Sequence, residues 1–318
     1  MVLRRTLSFW LNPMIPVQAA LQLSRVVGGT PSIIEFGLGR MFFNPRVPRP
    51  LQGYRLDADD VFIATFAKSG TNWAMQTALQ IAWRGRAEFD HIHDKVPWPE
   101  APMPTIVTME ESDRDPSPTG RRVIKTHLPT RSVPYSAHAK YITVLRDPKE
   151  VVISAYYFLL GSMGVLDIVS FQQWYDRLAD NGLLTKAWAE HTASYWAWRD
   201  RPNVLVLTFA EMKADLAGTV KRFAELMEVS LSDAELAEVT RRASFSYMKE
   251  HESQFAPPKI PLRGNAPMAK MIRRGKAGGS DELLSRAQQA EIDRQCQRLL
   301  QRLGSDLPYG ELFDVVEG

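Results

Sequence analysis

Lys68, Lys125, His127 and Arg146 are the residues whose types and spacing suggest chemistry in this chain. Lys68 stands in Ala67-Lys68-Ser69-Gly70-Thr71-Asn72-Trp73, after one apolar run and before another. A strand-to-helix loop of this composition presents backbone N–H groups, the positive end of a helix dipole and a cation together. That is a cradle for phosphate or sulfate. It is not the G-x-x-x-x-G-K-[ST] loop, because Lys68 precedes Gly70 and no glycine stands upstream. Lys125 and His127 lie two apart in Arg122-Val-Ile-Lys125-Thr126-His127-Leu-Pro129, so in extended chain both project to one side. A cation beside an imidazole depresses its protonation and keeps it competent as a base near pH 7. Arg146, with Ser154 two helical turns on, can reach a phosphate. Its competing use is an ion pair with Asp147 or Glu150. Between 253 and 280 no acidic residue occurs, whereas Lys259, Arg263, Lys270, Arg273, Arg274 and Lys276 do. That stretch reads either as a glycine-jointed loop able to fold over an anion or as a solvated basic loop.

The surrounding pattern says what positions these groups. Val61 to Thr65 and Tyr141 to Leu145 read as buried strands, as does Val204 to Thr208, and Arg122 leads a short one. A helix is expected from Asn72, as N-cap, to about Trp83. A second starts at Asp147 (N-cap) and Pro148 (first turn) and runs to about Leu160. Phe171 to Arg199 reads as helical, its many aromatics serving mostly as core. Further helices are expected over 216–227, 234–242 and 280–303. Six prolines break up 91–118, which reads as a substrate-facing lid or a packed surface loop. The alternation predicts one α/β, P-loop-like domain over 51–318, with a central parallel sheet flanked by helices on both faces. Residues 1–50 form a separate apolar or amphipathic segment and a proline-rich linker.

A hydrophobic content of 45% and a charged content of 24% are those of a globular chain with a sizeable core. A net charge of +3 does not indicate a nucleic-acid partner. The single Cys296 cannot close an internal disulfide, which points to a reducing, cytoplasmic setting. Thr6 to Ser24 carries no charge, but two prolines, an asparagine and two glutamines make it a poor membrane span. Peripheral membrane contact through residues 1–50 is the expectation.

Four of these segments, in order over roughly 58 to 300, resemble the cytosolic-type sulfotransferase family, which uses 3′-phosphoadenosine 5′-phosphosulfate (PAPS) and releases 3′-phosphoadenosine 5′-phosphate (PAP). Thr65 to Trp73 is similar to its 5′-phosphosulfate loop and Lys125 to Pro129 to the segment with its catalytic histidine. Arg146 to Ser154 is similar to its 3′-phosphate site, and Arg273-Arg274-Gly275-Lys-Ala-Gly278 to its basic glycine loop. The resemblance implies sulfuryl transfer from PAPS to a hydroxyl of a small, hydrophobic or lipid-like acceptor, with His127 as base. It implies that Lys68 steadies the leaving phosphate and Lys125 the sulfuryl oxygens. Ser69, Gly70, Thr71 and Asn72 would hold the 5′-phosphate, and Trp73 and Phe245 would contact adenine. Arg146, Ser154, Arg273, Arg274 and Gly275 would bind the 3′-phosphate, and the lysines would supply the positive charge without a metal. Asn72, Ala189, Ala243 and Gly279-Ser280 depart from the common pattern, which bears on adenine recognition, and 281–291 lacks the family's dimer motif. The competing readings are a nucleotide-dependent phosphotransferase, disfavoured by the missing phosphate-loop lysine, and a non-catalytic nucleotide-binding module.

Overall fold

Four short β-rich runs form one fully parallel sheet in the order β2-β1-β3-β4. They are β1 (Asp60–Ala64), β2 (Arg122–Thr126), β3 (Lys140–Leu145) and β4 (Val204–Thr208). The computed structural model describes residues 23, 51–257, 270–272 and 278–317, except 52, 102–104, 114 and 181. Alternate side chains of the central strands serve opposite layers, as the two-residue period of a strand requires. Val61, Ile63, Ile142 and Val144 pack with helix α1 (Thr71–Ala82). Phe62, Ala64, Ile124 and Tyr141 face the other way, with Phe62 stacked on Tyr141 at 5.4 Å. Both faces are therefore apolar, and β1 is wholly buried.

Other helices are, in chain order, α2 (Pro148–Ala155), α3 (Leu183–Trp196), α4 (Leu216–Leu226), α5 (Asp233–Arg242), α6 (Phe245–Glu250) and α7 (Arg286–Arg302). Helix α2 starts as expected: Pro148 is in its first turn and the Asp147 side chain accepts the Lys149 N–H. Its continuation, Tyr156–Leu160, widens into a π-helical stretch. The helix expected over 171–199 is broken: Phe171–Trp174 leads into π-helical Tyr175–Asp180, and Gly182, at φ 77°, starts α3 afresh. The last long helix begins at Arg286, capped by Ser285, rather than at 280.

The register sets what meets at the carboxyl edge. Ala64 pairs with Thr126, and Ile63 with both Lys125 and Ile142. The residues just past β1 and β2 therefore come level. Chain direction also diverges here, β1 leading outward to β2 while β3 lies on its other side, which is where open parallel sheets bind ligands.

Lys149, 1% exposed, fastens α2 to the C-terminal region. Its ammonium donates to Asp293 and to the Asp314 carbonyl, each at 2.6 Å, and lies 3.2 Å from Asp147. Asp293 also accepts the Tyr309 hydroxyl and the Val316 N–H. Replacing Lys149 with methionine leaves the Asp293 charge buried without its cation. The Lys149→Met variant is expected to lose about 3–5 kcal/mol of stability, read from urea unfolding. A loss below about 1 kcal/mol would mean that Tyr309 and Val316 suffice for Asp293.

Candidate active site

The turn between β1 and α1 is built to leave donors open. Gly70, at φ 94°, is the N-cap of α1 and contributes no side-chain cap. Asn72, expected at that position, lies inside the first turn, and its side-chain amide donates to the Phe255 carbonyl at 3.3 Å. The first helical N–H with an internal partner is that of Ala74, bonded to the Gly70 carbonyl. The N–H groups of Gly70, Thr71, Asn72 and Trp73 have no partner among the described residues. A Cβ on Gly70 would stand 2.9 Å from the Phe209 ring, so the turn requires glycine twice over. Lys68 is itself left-handed at φ 71°. The Thr65 and Thr71 hydroxyls, 2.6 Å apart, tie the two ends of the loop together. The Ser69 hydroxyl is buried without a partner, a costly state that a phosphate oxygen would relieve.

At the end of β2, the level register brings His127 against Thr65. Its Nδ1 lies 2.7 Å from the Thr65 carbonyl, an acceptor only, so Nδ1 carries the proton and Nε2 keeps its lone pair. Burial holds the imidazole well below its usual range, and Lys125 adds to this, with smaller effects from His191 and Lys68. The sequence pointed to the neighbouring lysine, but desolvation is the larger cause. Lys125 and His127 do share a side. The Lys125 ammonium sits 3.3 Å over the Trp98 ring, and His127 meets the same ring edge-on at 5.3 Å. Trp98 belongs to the proline-rich segment, which docks on the outer edge of β2: the Pro97 carbonyl accepts the Lys125 N–H. The Glu100 carboxylate accepts the His127 N–H. The Tyr195 hydroxyl, from α3, donates to the Leu128 carbonyl and fixes the far side of this segment.

Arg146 closes the crevice from β3. Its Nη1 donates to the Lys68 carbonyl at 2.9 Å, its Nε to Glu150 at 2.8 Å, and its plane lies over Phe209 at 4.5 Å. The Trp188 indole N–H donates to the Arg146 carbonyl at 3.0 Å. Ser154 is partly buried on α2, eight residues on from Arg146. Trp73 leans edge-on against Phe209, and its indole N–H holds the Ala243 carbonyl at 2.8 Å. That bond brings Trp73 beside the segment carrying Phe245, which is 43% exposed at the start of α6. Arg273, Arg274 and Gly275 lie outside the described residues. Trp98, Phe158, Trp188 and Glu150 also belong to the site. In the sequence Trp98 reads as part of the lid or surface loop, Trp188 as core, and Glu150 as one of two ion-pair partners open to Arg146, a pair that the structure forms; Phe158 gives no signal.

An anion cradle, a pre-set arginine and a neutral imidazole on one edge of a parallel sheet define an α/β transferase of an anionic group. The sulfotransferase domain model matches residues 58–304, so the chain belongs to the sulfotransferase family and is an enzyme of its PAPS-dependent, cytosolic type. Sulfotransferase 2A1 of Macaca fascicularis is 29% identical over 262 residues, 80% of this chain and 87% of that protein. Sulfotransferase 1E1 of Bos taurus is 30% identical over 61% of this chain and 68% of its own length. In fold the chain is similar to retinol dehydratase in complex with androsterone and PAP, with a TM-score of 0.65 and 21% identity over 81% of this chain and 85% of that one. It is also similar to a mouse sulfotransferase complexed with PAP, with a TM-score of 0.59 and 21% identity over 85% and 92%.

Burial, with Arg146 and Lys125 nearby, lowers Lys68 to about 7. Burial likewise lowers Lys125 to about 7, against an opposing pull from Glu100. An anion at the cradle restores the proton of Lys68. Binding strength from this lysine is therefore complete below pH 7 and is lost as pH rises above it. PAP affinity is expected to fall by up to about tenfold per pH unit between 7 and 9 in titration calorimetry. The Lys68→Met variant should flatten that slope, and a pH-independent wild type would refute the coupling.

Proposed function

We propose that His127 is the general base of sulfuryl transfer from PAPS to the hydroxyl of a small hydrophobic acceptor, with Lys68 and Lys125 as its electrostatic partners. The observation that carries this is the Nδ1–H bond of His127 to the Thr65 carbonyl, which leaves Nε2 unprotonated. PAPS supplies a sulfuryl group on a phosphate leaving group. Nε2 takes the acceptor proton as the hydroxyl oxygen attacks, and the Thr65 carbonyl steadies the imidazolium that results. Lys68 meets the charge growing on the leaving phosphate, with the Ser69 hydroxyl and the backbone N–H groups of Gly70, Thr71 and Asn72 around it. Lys125 meets the sulfuryl oxygens. Trp73 and Phe245 receive the adenine, while Arg146 and Ser154, with Arg273, Arg274 and Gly275, take the 3′-phosphate. Positioning and fixed charge do most of the work, as in phosphoryl transfer.

A hydrophobic acceptor is supported by Trp98 beside His127 and by Phe158, whose ring lies 3.6 Å under the Lys68 ammonium. The alcohols retinol and androsterone in the retinol dehydratase complexes point the same way. His127→Ala is expected to slow transfer of labelled sulfate from PAPS to an alcohol panel containing both compounds by about 10²–10⁴-fold. PAP affinity should stay within about twofold in calorimetry. A large loss of PAP binding would remove His127 from the role of base and make it part of the nucleotide site.

We further propose that residues 51–318 form the catalytic domain of a cytoplasmic enzyme and that residues 1–50 give it peripheral membrane contact. The uncharged, proline-interrupted run from Thr6 to Ser24 supports this contact. Apart from Leu23, residues 1–50 lie outside the described residues, among which no helix is long and apolar enough to cross a membrane. Removing residues 1–40 is expected to abolish co-sedimentation with anionic phosphatidylcholine/phosphatidylserine vesicles while leaving PAP binding in place. Equal sedimentation of both forms would reject the contact.

A further inference from the structure

A carboxylate is out of place beside a phosphate subsite, since like charge opposes a dianion. Glu150 is nonetheless only 9% exposed, in the first turn of α2 and one helical turn from Arg146. Neither of its oxygens is left facing a ligand. Oε2 accepts the Arg146 Nε–H at 2.8 Å, and Oε1 accepts the backbone N–H of Gly278. The ion pair is well shielded, with side-chain exposures of 16% for Arg146 and 10% for Glu150. It is therefore worth more than an exposed i,i+4 pair.

The arginine is held on every side except one. Glu150 takes Nε, the Lys68 carbonyl takes one Nη1 proton, and Phe209 covers a face. The second Nη1 proton and both Nη2 protons have no partner among the described residues. A guanidinium fixed by its Nε edge keeps its outer fork for a planar or tetrahedral oxyanion without losing further rotamer freedom. The Gly278 end of the contact is equally particular. Gly278 and Gly279 stand at φ 78° and 103°, and a Cβ at either would meet nothing within 4 Å. The glycines are therefore required by backbone conformation rather than by space.

Resting on the assignment of Arg146 to the 3′-phosphate, we propose that Glu150 is a positioning residue of that subsite, orienting the Arg146 fork and anchoring Gly278 beside it. Its effect is selective: it serves recognition of the 3′-phosphate and leaves the 5′-phosphate cradle alone. It also gives Glu150 a job distinct from the helix-dipole role that any first-turn acid has.

The test compares PAP with AMP, which lacks the 3′-phosphate, by titration calorimetry on wild type, Arg146→Ala, Glu150→Gln and Glu150→Ala. Wild type should prefer PAP, and Arg146→Ala should erase most of that preference. Glu150→Ala should weaken PAP by about tenfold or more and AMP by less than about twofold. Glu150→Gln, whose single amide oxygen replaces one of two acceptors, should fall between. Should the alanine variant fail to fold, the glutamine variant carries the comparison. A merely structural role would weaken both nucleotides alike, and tighter PAP binding would make Glu150 a competitor of the phosphate; either result overturns the proposal. A wild type indifferent to the 3′-phosphate, or an Arg146→Ala variant that keeps its preference, refutes the underlying assignment and takes the Glu150 role with it. A preference that needs Arg146 but not Glu150 refutes only the latter.

Discussion

The hydrogen bond from Arg146 to the Lys68 carbonyl joins the two halves of this site. Lys68 needs it because a left-handed conformation at a non-glycine residue is strained by about 1–3 kcal/mol. Arg146 needs it because a long side chain at a strand end has no fixed direction of its own. The bond settles both at once, between the ends of β1 and β3. Its neighbours reinforce it: Trp188 fixes the arginine backbone, Phe209 lies under its plane, and the same Phe209 ring bars any side chain at Gly70. One phenylalanine just past β4 thus shapes both the cradle and the arginine.

Around that bond, three cations converge with little water. Desolvation lowers Lys68 and Lys125 to about 7. Aromatic faces partly replace the lost solvent, with Lys68 over Phe158 and Lys125 over Trp98. Contacts of this kind offer about 0.5–2 kcal/mol each, less than full hydration of an ammonium. An anionic ligand is the stronger partner, which is why a cluster of buried like charges is tolerable in an enzyme of this family. The Phe158 ring reaches Lys68 from the π-helical stretch after α2, a distortion of the kind often found at functional sites.

The parts of the site legible in the sequence were those whose chemistry is local. The strand before Lys68, the Asp147-Pro148 helix start and the two-residue spacing of Lys125 and His127 are set by neighbours in the chain, and the structure has them. What was hidden depended on distant partners. The pairing of Glu150 with Arg146 is open in the sequence, but its second contact, Gly278, is brought to it from 128 residues away. Trp98 reads as one apolar residue among prolines until Pro97 docks on β2. Asn72 has the composition of an N-cap, but the tight approach of Phe209 places Gly70 there instead. Aromatic residues cluster at 171–175 and 188–198, and the Asn181-Gly182 pair between them is the turn signal at which the expected helix breaks.

The depressed protonation of His127 bears on the base role proposed for it. A group held well below its usual range is a weak proton acceptor in the ground state, which at first argues against its role. The balance changes along the reaction. Burial penalises an isolated imidazolium, but the Thr65 carbonyl already faces Nδ1–H, and its bond strengthens as charge develops on the ring. The same fixed carbonyl removes the wrong tautomer, so no reorganisation precedes proton transfer. Lys125 opposes protonation of His127, and in the proposed reaction that opposition would fall once the sulfuryl oxygens draw on its charge. In the proposed role, the base would be weak where no substrate is present and would gain strength as the anion comes into place, a consequence of packing lysine, histidine and tryptophan at the end of one edge strand.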